Sequence, residues 1–130
     1  MNVSIVLDTS AVLAYASLDG VAVGELIYTV QESGAMVGIP ALVLVDAWPE
    51  LDDAQRAIVT DLYSQDGGPV VVLPLDETAV PPVSALAGQV GHATAHVVAS
   101  ILAHGESTLA TYEPGRVKGL VDPYDVLELS

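Results

Sequence analysis

Residues 4–16 read SIVLDTSAVLAYA, and the order of chemistry within that stretch decides the fold. Ile5, Val6 and Leu7 form an unbroken apolar run, the pattern of a strand buried on both faces in a parallel sheet. Asp8, Thr9 and Ser10 follow at once, and then an Ala/Leu/Tyr segment of helical character that Ser10 is placed to cap and that runs to about Ser17. In parallel sheets, ligands bind beyond the carboxyl ends of the strands. Asp8 therefore stands where such a fold presents a functional group.

Working outward, Asp19-Gly20 turns the chain. Val23, Leu26, Ile27 and Val30 then repeat with the spacing of one buried helical stripe, stopped by Gly34. Residues 35–39 suit a second strand. Pro40 suits the first position of a helix, and residues 41–48 are apolar on nearly every side except Asp46. Asp52 and Gln55 have the spacing of a capping box, opening a helix with Leu51, Gln55, Ile58, Val59 and Leu62 on one face and Gly67-Gly68-Pro69 at its end. Val70–Leu73 reads as a third strand. Pro74 and Pro81-Pro82 leave residues 76–88 at best one short helix. Residues 92–104 form a helix closed by Gly105, residues 108–110 a fourth strand, residues 112–123 a loop, and residues 125–129 an amphipathic edge strand. Strands alternating with helices predict a single α/β domain over residues 1–130, with a central, mainly parallel sheet of four to five strands and helices on both faces.

Composition narrows the function. The chain has no cysteine, which removes disulfides, thiolate zinc sites and cysteine nucleophiles and fits a reducing compartment. The N-terminus lacks a basic segment, and Asp8 interrupts its apolar run, so no signal peptide is expected. The uncharged stretch 78–105 holds Pro81-Pro82, three glycines, Gln89 and three histidines, too broken for the roughly 20 apolar residues of a membrane span. The expectation is a cytoplasmic protein without a membrane segment. Seventeen acidic residues face only Arg56, Arg116 and Lys118, a net charge of −14. That charge repels a polyanion, because nucleic-acid affinity comes largely from neutralised phosphates. A basic partner or an added cation suits it better.

The candidate chemistry has a functional and a plain reading at each position. Asp8, after a buried strand and before two hydroxyls, either ligates a divalent cation through hard oxygen or caps the next helix. Asp46, flanked by Leu44, Val45, Ala47 and Trp48, is a costly carboxylate within an apolar helix unless it is paired or metal-bound. His92 and His96 stand four apart in HATAH. Ala93 occupies the place of a zinc-protease glutamate and no third ligand is evident, so His96 reads as a buried, hydrogen-bonded histidine and His92 as a surface one. Glu113, directly beyond the fourth strand, is either an acidic loop residue or a third member of the Asp8 and Asp46 group. The three converge if strands one and four are neighbours.

Taken together, IVLDTSAVLAYA, the Pro-Ala-Leu helix leading to Asp46, AHVVASILAHG and the LATYEP segment resemble the PIN domain, the nuclease fold of the VapC-type toxins. The likeness runs over most of the chain and is vague over residues 51–80. It implies a PIN-like sandwich whose acids hold magnesium or manganese at the strand ends and cleave RNA through activated water. On that resemblance Asp8 matches the first acid and would be the principal metal ligand. Asp46 stands in place of a glutamate and Glu113 in place of an aspartate, with Thr9, Thr111, His92 and His96 as polar neighbours. The remaining family acid falls at Ala93, a gap beside which His92 offers a substitute ligand. The resemblance further implies a homodimer and an antitoxin or other protein partner. The alternative expectation is a catalytically inactive PIN-like module acting through protein–protein binding, which Ala93 and the acidic surface favour.

Overall fold

The computed structural model describes residues 2–130. Five strands, β1 (Val3–Leu7), β2 (Met36–Pro40), β3 (Val70–Leu73), β4 (Thr108–Thr111) and β5 (Val126–Glu128), form one sheet in the order β3-β2-β1-β4-β5. Every neighbouring pair is parallel. The α/β architecture expected from the alternating elements is therefore present, with β1 and β4 adjacent through Ile5–Thr108, Val6–Leu109 and Leu7–Ala110. Six helices connect the strands: α1 (Thr9–Ala16), α2 (Val21–Glu32), α3 (Ala41–Ala47), α4 (Asp53–Ser64), α5 (Val80–Val90) and α6 (His92–Ala103).

The chain steps outward from β1 to β2 to β3, then crosses back to β4 and β5. With right-handed crossovers, α1, α2 and α4 lie on one face and α5–α6 on the other, while the short α3 packs on both α1 and α6. The direction of winding reverses between β1 and β4, so a crevice opens above their carboxyl ends. The core fills both sides of the sheet. Val6, Leu7, Val37, Ile39, Leu109 and Ala110 are fully buried in the strands. Residues 95–101 of α6 are buried on every side because that helix packs on the sheet, α3 and α5 at once. Burial of this kind contributes about 1.5–3 kcal/mol for each large apolar side chain.

Several local expectations are corrected. Asp8, not Ser10, caps α1, its carboxylate accepting from Ala11 N at 3.0 Å. Pro40 ends β2 and precedes α3 instead of opening it, with ψ 138°. The Pro81-Pro82 pair does not break residues 80–90: both prolines lie in the first turn of α5, where no N–H is required, and Asp76 caps the preceding turn through Thr78 and Ala79. The Asp52/Gln55 capping box forms in full, β5 is an edge strand, and β3 has the expected bounds. Among the described residues, no single helix is long and apolar enough to cross a membrane.

Candidate active site

Above the β1–β4 switch point lies a cleft of about 280 Å³, lined by Asp8, Asp46, Glu50, Glu113, Arg116 and Ala93 over a floor that includes Leu13 and Val97. Three acids singled out in the sequence, more than a hundred positions apart at the extremes, thus share one hollow. Each is placed by a different element. Asp8 sits on the one-residue joint between β1 and α1, Asp46 near the end of α3, and Glu113 two residues past β4.

Asp8 is the most constrained. Its Oδ1 accepts from Ser10 Oγ at 2.7 Å and from Ala11 N at 3.0 Å, and its Oδ2 accepts from the hydroxyl of Thr111. Thr111 is fully buried. Ser10 Oγ in turn accepts from Tyr112 N at 3.0 Å, and Thr111 Oγ1 from Glu113 N at 2.9 Å. Each hydroxyl has one proton, already given to Asp8, so the 3.3 Å approach of Ser10 Oγ to Thr111 Oγ1 is a close contact of acceptors sharing a common carboxylate. Through these two hydroxyls, the start of α1 is tied to the end of β4. Asp8 therefore caps α1 and at the same time presents its carboxylate in the cleft at the strand ends.

Asp46 is exposed rather than enclosed, a correction to the expectation of a carboxylate within a buried helix. The helix is short, and only Val43 and Ala47 are buried along it, so Asp46 projects to the cleft. Thr9 Oγ1 donates to its Oδ2 at 2.8 Å across 37 positions of sequence, holding Asp46 in the cleft that Asp8 also lines. Glu113 is ion-paired with the Nε of Arg116, three residues on.

The histidines lie elsewhere. His92 lines a separate groove with Leu42, Leu75, Val83 and Ala87, so it does not stand in for the acid absent at Ala93. His96, 1% exposed, accepts from Leu42 N at 3.3 Å through Nδ1 and faces the Pro74 carbonyl. Burial holds its pKa below the usual 6.5, against the opposing pull of the Pro74 carbonyl and the Asp76 charge. It is a neutral core histidine that pins the first turn of α3, as its apolar context indicates.

Three participants escaped the sequence reading. Ser10 stands two residues after Asp8, Glu50 one helical turn after Asp46, and Arg116 three after Glu113. Each spacing was available as a signal, but which of them face the cleft is decided by turns in the backbone. Of the other two basic residues, Arg56 is committed to Trp48, donating to its carbonyl at 3.0 and 3.2 Å with the guanidinium 5.5 Å from the indole centre. Lys118 lines a different groove.

The donor set suits a hard divalent cation in kind, being carboxylate oxygen throughout. Of the roughly four acceptor sites of a carboxylate, Asp8 has three filled, and Asp46 receives Thr9 on one oxygen only. Among the described residues, however, no three acids or histidines already converge on one point. Glu113 is turned to Arg116, and Ala93 contributes only a methyl group. A cation would meet Asp8 and Asp46 first. No protein-family model matches the sequence, and no curated protein matches it.

Proposed function

We propose that this chain is a PIN-like, divalent-metal-dependent endoribonuclease of the toxin type, with a weakened site. The observation that supports it is the gathering of Asp8, Asp46 and Glu113 in one cleft above the sheet's switch point, the place where such sheets bind ligands. Asp8 and Asp46 would hold magnesium or manganese, joined by Glu113. Bound there, the ion would lower the pKa of its water and offset charge on the phosphodiester. The protein's own contribution is orientation. Ser10 and Thr111 fix both oxygens of Asp8, Thr9 fixes Asp46, and the guanidinium of Arg116 is the positive group available to a phosphate at the cleft.

Weakness follows from the same residues. Ala93 supplies no ligand, and a net charge of −14 opposes the approach of RNA. These two features support a second reading, a catalytically silent module that binds a basic protein partner such as an antitoxin. In either reading the protein acts in the cytoplasm, as a homodimer.

The test is manganese-dependent cleavage of single-stranded RNA by wild type, Asp8→Asn and Ala93→Asp. Slow wild-type cleavage, loss in Asp8→Asn and acceleration in Ala93→Asp are expected. Cleavage that survives Asp8→Asn contradicts the assigned site. Absence of cleavage in both wild type and Ala93→Asp selects the second reading.

A further inference from the structure

Glu113 and Arg116 form the ion pair at the rim of the cleft, and both line it. Their surroundings differ from those of Asp8. The side chains are 49% and 59% exposed, and pairs of that exposure contribute little to stability. Beneath them the backbone is fixed. Residues Pro114–Val117 form a 3-10 turn, Arg116 N donates to Glu113 O at 3.1 Å, and Val117 anchors the turn in the core. The side chains can therefore part without disturbing the fold. Among the described residues, Arg116 is also the sole cation lining the cleft beside Asp8, Asp46, Glu50 and Glu113.

We infer that Arg116 is an exchangeable internal counter-ion that competes with a divalent cation for Glu113. This rests on the cation-binding reading of the cleft. While Glu113 is paired with Arg116, it is withheld from an ion at Asp8 and Asp46. When the pair opens, the longer reach of a glutamate becomes available to that ion, and the guanidinium, with one of its five N–H donors engaged by Glu113, is released toward an anionic group. A phosphate drawn to Arg116 and a cation drawn to Glu113 each take one partner of the same ion pair, so the two ligands assist one another.

The experiment is calorimetric titration of manganese into the full chain as wild type, Arg116→Ala, Glu113→Gln, the double variant and Asp8→Asn. Arg116→Ala is expected to tighten manganese binding by about three- to tenfold, the scale of freeing one carboxylate ligand, since the guanidinium's own repulsion of the ion is largely screened at this exposure. In the Glu113→Gln background, the same substitution is expected to change affinity by less than about twofold, because the two residues act as a unit. An equal gain in both backgrounds would reduce Arg116 to a general charge effect and overturn the inference, as would no gain at all. Asp8→Asn separates the two levels: if it binds manganese like wild type, the cation-binding reading itself fails.

Discussion

The hydroxyl of Thr111, at the end of β4, donates to Oδ2 of Asp8, at the end of β1, and the two residues lie 103 positions apart. The contact joins the two strands at which the winding of the sheet reverses. It also positions the acid on which the functional reading depends. Thr111→Val keeps the shape, leaves one oxygen of Asp8 and the N–H of Glu113 without their partner, and should lower stability by about 1–3 kcal/mol. Thr111→Ser, which keeps the hydroxyl, should cost visibly less. Urea unfolding midpoints compare the two, and equal losses would show that the methyl group rather than the hydroxyl matters at this position.

His96 gives stability a defined pH dependence. Its pKa is 6.5 in an unfolded chain and lower in the folded one, because burial disfavours the charged ring. The unfolded state therefore binds more protons as the medium becomes acidic. The contribution of His96 is complete above pH 6.5 and is lost as pH falls toward the folded value. Protonation of Nδ1 would also cancel its acceptance from Leu42 N. Denaturant midpoints measured from neutral pH down to about pH 5 should fall more steeply for wild type than for His96→Gln. Parallel curves would remove His96 as the source.

Two glycines should respond in opposite directions to the same change. A Cβ at Gly20 would lie 2.7 Å from Tyr15 N and 2.8 Å from Ala14 C, both backbone atoms of α1. Gly20→Ala must push α2 off α1 and should destabilise by about 1–3 kcal/mol. A Cβ at Gly24, within α2, meets nothing within 4 Å, so Gly24→Ala should stabilise by about 0.5–1 kcal/mol through helix propensity. Thermal unfolding of the pair checks both signs.

The strain at Leu18 is a fourth handle on stability. This residue has φ 65° and is 75% exposed, so its side chain gains little from the core while its backbone takes a left-handed conformation that β-carbons disfavour. Leu18→Gly should raise stability by a few tenths to about 1 kcal/mol. A measurable loss on this substitution would mean that Leu18 contributes contacts that offset its backbone.

The parts of the molecule that were legible from the sequence were those governed by local pattern. Apolar runs marked β1 and β3, the Asp52/Gln55 spacing marked a cap, and an apolar context marked His96 as buried. Illegible parts turned on choices between neighbours or on distant packing. Asp8 and Ser10 can each cap α1, and the chain uses Asp8 because Ser10 is engaged with Asp8 itself and with Tyr112 N. Asp46 looked enclosed because its sequence neighbours are apolar, but α3 is too short to be surrounded and turns that side chain outward. The tandem prolines looked like a break, although the first turn of a helix is where they fit. Arg116 lies in a stretch with the pattern of a loop, and its spacing from Glu113 alone does not tell that the turn brings it to the acids.

The most direct test of the central claim is the anomalous difference density of crystals of the wild-type protein soaked in manganese. A peak between the carboxylates of Asp8 and Asp46 that disappears in Asp8→Asn is expected. A soaked crystal with no peak in that cleft, or with manganese bound only at other acids of the surface, would contradict it.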